Sequence, residues 1–337
     1  MTARVFLYEA GGEDREIELS EKALQGLGKN KLIWIDLDRR NQRELARVAS
    51  VLNLPPERLC SDEERPPQLD NHGDHFRFSI DAAPRPAKGS HDGDLDEADF
   101  GPSTGGARKT RVDFIVTAKA LVTVHDGRAE FLERFREQDK AQTQIGRLSP
   151  QTLAASLLDW NLGSFFEEVS RIEAAIDRLD ERVLRDITSK SLLGRMVAMR
   201  RRVSALRALL VGERDVLYGL SRPDFALITD AGAAPYYAAL AGRFERALDE
   251  VERARDLVTG SFDLFTSRNS QATNDLVKVL TFLTAIIGFC AAVAGLLGMN
   301  FQLSFFETGF AGFLLVTGGL IVSGVAAVWW ARRRSWI

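Results

Sequence analysis

Gly298-Met299-Asn300 closes an uncharged run that begins at Val279, and a second uncharged run opens nine residues later, at Gly309, and lasts to Trp330. A small residue, a thioether and an amide at the place where the chain leaves one apolar run and turns toward the next suggest the mouth of an ion path. Counting back from Gly295 in alternating fours and threes gives Ala291, Gly288, Thr284, Thr281, Val277, Asn274, Ser270, Ser267 and Asp263. That spacing keeps residues on one face of a helix. The face is small or polar throughout, whereas Phe282, Leu283, Ile286, Ile287, Phe289, Val293 and Leu296 fall on the others. Two readings compete. Small residues let helix backbones approach closely. Alternatively, copies of this helix line a narrow pore in which Thr hydroxyls and backbone carbonyls meet water and ions. Asn274 and Asp263 favour the pore, because polar groups along the same face suit a wet axis better than a dry contact. Val277 on the stripe, or Leu280 beside it, could act as a dewetting gate.

Four further groups carry chemistry-capable side chains. His72 and His75 flank Asp74 at a spacing that could hold zinc, but a turn leading into a strand explains the same residues. Glu307, between the two runs, is either a plain loop acid or a cation attractor, and Asp263 is either a solvated helix residue or a cation-attracting ring. Cys290 lies off the stripe and reads as a small packing residue. Gly106-Ala-Arg-Lys-Thr departs from phosphate-loop spacing and follows no strand, so it is discounted.

The elements that position these residues follow from pattern. Each uncharged run is long enough for one transmembrane helix, about 20 mostly apolar residues being needed. Lys278 opens the first and Arg332-Arg333-Arg334 follows the second, whereas 301–308 holds one acid and no base. Basic flanks prefer the cytoplasmic side, so both termini are expected inside and the hairpin tip outside. Trp329, Trp330 and Trp336 suit an aromatic belt at the inner interface. The opening MTARVFLYEAGGEDRE has no apolar run before a cleavage site, so no signal peptide is expected.

Residues 1–148 read as an α/β domain, with strands expected at Ala3–Tyr8, Glu16–Leu19, Leu32–Leu37, His75–Ile80, Arg111–Thr117 and Leu121–His125. Asn41 would cap a helix ending at Leu52. Residues 83–110, rich in Pro, Gly, Asp and Ser, read as a mobile inserted loop. From Ser149-Pro150 the chain turns helical. Residues 149–235 form a helical pair, Pro150–Asp186 and Ser189–Leu220, the first acid-rich in its second half and the second basic around Arg200. A single helix then runs from Tyr236 through 278 in the soluble part and over 279–300 as the first span, about 90 Å in all. The outer loop is 301–308, the second span 309–330 and the basic tail 331–337. The net charge of −3 gives no sign of nucleic-acid binding, and the basic stretch Arg195–Arg207 reads as a helix face meeting acids or lipid headgroups. Cys60 and Cys290 lie in different regions and would stay unpaired in a reducing compartment.

The stretch NDLVKVLT, the apolar span, GLLGMNF, the short loop, the second span and the tail RRRSWI resemble the CorA-type divalent cation transporters, including the ZntB branch. A weaker likeness covers ERPPQLDNHGDHF and VDFIVTAKALVTVH. The resemblance implies an α+β cytoplasmic domain, a long helical stalk and a C-terminal two-helix hairpin, assembled as a homopentameric funnel in the bacterial inner membrane. It implies that Gly298, Met299 and Asn300 select the ion, with Asn300 as an outer ring, and that Gly295, Ala291, Gly288, Leu280, Val277, Asn274 and Asp263 line the pore. That set largely coincides with the stripe. Mg2+ gives up its waters reluctantly, so a ring of amide oxygens can accept hydrogen bonds from a hydrated ion. The sequence departs from the family pattern after the signature, where FQLSFFETGF leaves Glu307 as the acid at the mouth. It also departs in mid-span, where Gly288-Phe289 replaces a proline.

Three functions are weighed. The first is a channel or transporter for Mg2+, also Co2+ and Ni2+, with a Zn2+ transporter, possibly proton-coupled, as its alternative. The second is a membrane-anchored coiled-coil scaffold. The third, an enzyme, finds no nucleophile–base set. Expected partners are copies of the chain, membrane lipids and the transported divalent cations, with no resident cofactor.

Overall fold

The computed structural model describes residues 3–10, 14–20, 30–39, 41–59, 65–83, 110–138, 144–185, 191–225, 232–299 and 309–334. They divide into two compact units, Met1–Glu181 with Ser189–Ser261, and Arg182–Thr188 with Phe262–Ile337.

The first unit is built on seven strands: β1 (Arg4–Glu9), β2 (Arg15–Glu16), β3 (Lys31–Asp38), β4 (Leu69–Asn71), β5 (His75–Asp81), β6 (Arg111–Thr117) and β7 (Ala120–His125). They form one sheet in the order β2-β1-β3-β7-β6-β5-β4. Only the central β3–β7 pair is parallel. Leu32 to Leu37 of β3 are all buried, as a near-continuous apolar run in a covered central strand should be. Five of the expected strands are present. The sixth, Glu16–Leu19, shrinks to Arg15–Glu16, and Leu19 instead enters the core. β4 was not expected, because Leu-Asp-Asn is short and poor in strand formers; it pairs at the sheet edge with β5. Most of the loop expected over 83–110 lies outside the described residues.

Helix α1 (Gln42–Leu52) begins as expected, with the Glu44 N–H donating to Asn41 Oδ1 at 3.3 Å. It ends with Asn53 in the left-handed region and the Leu54 N–H donating to the Ala49 carbonyl. Leu45, Val48 and Ala49 pack with Ile33, Ile35 and Val122 in one core. Helix α2 (Glu130–Gln138) brings Phe135 edge-on to Trp34. Beside them sits a buried polar cluster. Asp36 accepts from Thr123 Oγ1 at 2.6 Å and from Arg136 at 2.8 Å, with His125 Nε2 at 3.2 Å.

Helices α3 (Pro150–Arg185) and α4 (Ser191–Ser221) match the expected pair. Ser149 Oγ caps α3 by accepting from the Thr152 N–H. Arg202 donates to buried Glu168, which joins the basic helix to the acidic one. Buried Glu213 of α4 accepts from the Asp81 N–H at 2.8 Å, and Arg111 holds the Asp81 carboxylate at 2.6 Å, so α4 is fastened to the sheet. Burial, then the neighbouring Asp81 charge, pushes the Glu213 carboxyl well above the usual range.

Helix α5 (Ala234–Leu297) is unbroken over 64 residues. In the first unit its buried residues are Tyr237, Leu240, Phe244, Ala247, Val251, Ala254, Val258 and Ser261. Their steps alternate three and four, so α5 presents one continuous seam to its own chain. The Tyr237 hydroxyl donates to the Gln151 carbonyl and fixes the start.

The second unit holds the remainder of α5 and α6 (Gly309–Arg333), which opens on Gly309 in the left-handed region. Both helices contain a stretch long and apolar enough to cross a membrane, and neither stretch is buried inside the protein. Leu280, Ile287, Phe310, Leu315 and Val322 all point outward. An apolar surface of that extent needs a nonaqueous neighbour or a partner. The second span runs beyond the expected Trp330 and takes Arg332 and Arg333 into the helix.

Candidate functional site

The end of α5 places the first two residues of the signature. The Gly298 N–H donates to the Ala294 carbonyl at 2.9 Å, adding one helical bond beyond Leu297, and the Met299 N–H reaches the Leu296 carbonyl at 3.4 Å. Gly298 lies in a turn, without the left-handed backbone seen among the described glycines at Gly73, Gly127 and Gly309. A Cβ there would lie 3.3 Å from the Ala294 oxygen, the carbonyl that its own N–H bonds. Met299 is exposed, and Asn300 and Glu307 lie outside the described residues.

Below the signature, Gly295, Ala291, Gly288, Thr284, Thr281, Leu280, Val277, Asn274 and Asp263 are all exposed. The half-buried residues of this segment include Phe282, Ile286, Cys290, Val293 and Leu297, which share a different face. The stripe repeats in sevens, which keeps its residues near one face of the helix within this unit. A Cβ built on Gly288 or Gly295 meets no atom within 4 Å. Neither glycine is needed for packing against the described residues.

The stripe's donor set is oxygen. Thr284 Oγ1 donates to the Leu280 carbonyl at 2.8 Å, which satisfies its proton and leaves the hydroxyl oxygen free to accept. Asn274 adds an amide and Asp263 a carboxylate. Hydroxyl, amide and carboxylate oxygens suit hard divalent cations and their bound water. Cys290, the thiol in this segment, is on the half-buried face.

His72, Asp74 and His75 are brought together as a turn. The His75 Nδ1–H donates to the Asp74 carboxylate at 2.6 Å, the His72 and His75 rings stack at 4.7 Å, and Asn71 Oδ1 accepts from the Gly73 N–H. Among the described residues, no group of three or more His, Cys, Asp or Glu is placed to hold a metal ion.

The C-terminal end of α6 carries two contacts that went unread in the sequence. The Arg333 guanidinium lies over the Trp329 ring at 5.2 Å, and Arg334 over Trp330 at 5.1 Å. The signal was present as two Trp–Arg pairs at i,i+4, neighbours on a helix surface.

The chain is similar to known proteins. The family described as CorA-like Mg2+ transporter protein matches residues 29–333. The cobalt/magnesium transport protein CorA of Thermotoga maritima is 27% identical over 228 residues, 67% of this chain and 64% of that protein. The matched stretch thus spans just under two thirds of that relative's length. The cobalt/magnesium transport protein CorA of Methanocaldococcus jannaschii is 23% identical over 317 residues, 91% of this chain and 92% of that one. The complete structure of the CorA magnesium transporter from Methanocaldococcus jannaschii covers 100% of this chain and 99% of its own, with a TM-score of 0.73 at 20% identity. The ZntB cytoplasmic domain from Vibrio parahaemolyticus covers 80% of this chain and 100% of its own, with a TM-score of 0.57 at 12% identity. At these identities the two structures speak for the fold, and the family match speaks for descent: the chain belongs to the CorA-like Mg2+ transporter protein family.

Proposed function

We propose that this protein carries divalent metal cations across a membrane, with Mg2+ as the main ion and Co2+ and Ni2+ as further substrates. Copies of α5, five in the funnel implied by the family, line the path with the stripe from Gly295 to Asp263. Asn300 rings the outer mouth and holds the ion through its water. Glu307 concentrates cations there, and the membrane is the bacterial inner membrane with both termini on the cytoplasmic side. The observation that carries this reading is the exposed stripe, at whose glycines Gly288 and Gly295 an added Cβ would meet no described residue. A tether has no use for a small and polar face that its own fold leaves free, which weighs against the scaffold alternative.

A zinc transporter of the ZntB kind is the second reading, favoured by the shared cytoplasmic fold. It is the weaker of the two, because selective binding of dehydrated zinc calls for imidazole or thiolate ligands and the stripe has neither. Purified protein in liposomes tests both through competitive uptake of Mg2+ and Zn2+, with and without a proton gradient. Mg2+ uptake should dominate and ignore the gradient. Asn300→Ala should abolish it while the oligomer stays assembled, and wild-type uptake in that variant would remove Asn300 from the path.

A further inference from the structure

We propose that the C-terminal end of α6 is a binding site for the phosphate of anionic phospholipids, built from the stacked pairs Trp329/Arg333 and Trp330/Arg334 together with Arg332. The inference rests on the reading of α5 and α6 as membrane spans. Arg332, Arg333 and Arg334 are exposed, and none makes an ion pair with a described residue. Arg111, Arg136, Arg202 and Arg207 of the first unit, by comparison, each hold a carboxylate. Three cations crowd one helix end, whose own dipole supplies only about half a negative charge. The charge left over calls for an anion from outside the chain.

The surroundings say which anion. Trp329 and Trp330 are 60% and 45% exposed and continue the outward apolar surface of α6. Indole rings settle at the boundary between acyl chains and headgroups. A guanidinium set over an indole ring is held at that same level, and neither Arg333 nor Arg334 spends its side-chain N–H groups on a described carboxylate. The N–H edge of a guanidinium matches two phosphate oxygens at once, a geometry an ammonium cannot copy. An apolar wall below, an indole at the boundary and a forked donor above fit a phospholipid better than a free anion or an acidic protein segment.

The test uses full-length protein in phosphatidylcholine nanodiscs with a minority of phosphatidylglycerol, followed by detergent extraction and mass spectrometry of the retained lipid. Wild-type protein should keep phosphatidylglycerol well above its bulk share. The triple variant R332Q/R333Q/R334Q should lose that enrichment, at about fivefold per arginine. The triple lysine variant keeps the charge and the orientation in the bilayer but loses the fork, so it should fall severalfold below wild type. No preference in wild-type protein, wild-type enrichment in the glutamine variant, or an unchanged lysine variant would each overturn the proposal. A glutamine variant that alters only the oligomer, with lipid enrichment intact, would assign the arginines to a second copy and overturn it too. Failure of the protein to enter nanodiscs would instead sink the membrane reading itself.

Discussion

Gly288 separates the two uses of a small residue most cleanly. Among the described residues nothing lies near its Cβ position, so Gly288→Val introduces no clash there and the first unit should melt as before. If the stripe faces the path, an added isopropyl group per copy narrows it, and Mg2+ uptake should fall at least about tenfold with the oligomer intact. If the stripe is a helix–helix contact, the oligomer should come apart instead. Size-exclusion with light scattering, run beside the flux assay, reads which occurs; unchanged flux from an intact oligomer would take the stripe out of the path. At this scale the sequence was informative, since spacing alone picks out the stripe. The buried set Asp36, Thr123, His125 and Arg136 was invisible in it. Its members lie 87 to 100 residues from Asp36 and meet only through the sheet. The available hint was a lone acid inside the apolar strand LIWIDL.

Those residues join the parallel pair β3–β7 to α2, and they make that joint sensitive to pH. Burial pulls the His125 imidazole down, but the hydrogen bond and charge of Asp36 outweigh it, and the net shift is upward from 6.5. Burial likewise raises Asp36, and His125, Thr123 and Arg136 together bring it below 3.8. A raised histidine stabilises the fold below its unfolded value and stops doing so as pH climbs through the folded one. A lowered aspartate stabilises above its unfolded value and stops as pH falls through the folded one. The cluster is therefore strongest between about pH 4 and 6.5. The thermal midpoint should drop as pH rises past that window, and His125→Gln should flatten the drop; an equal slope in the variant would acquit the pair. Elements with strong patterns were legible: five strands, α1 with its cap, and the α3–α4 pair all fall close to their expected bounds. The edge strand β4 escaped and β2 was drawn too long, because two or three residues paired at a sheet edge need little propensity of their own.

For the whole chain, family membership, a sheet-based unit followed by long helices and two apolar spans could all be read in advance, because each leaves a local signature. Which face of each helix is covered could not, because covering is decided by what the helix packs against. The seam of α5 imposes a rule on the gene. One codon inserted between Phe244 and Val251 turns every later seam residue by about 100° and advances it about 1.5 Å. Seven inserted codons lengthen the helix by about 10 Å yet bring its faces back to within about 20°. Insertions and deletions in this stretch should therefore be tolerated in sevens and rejected in ones and twos.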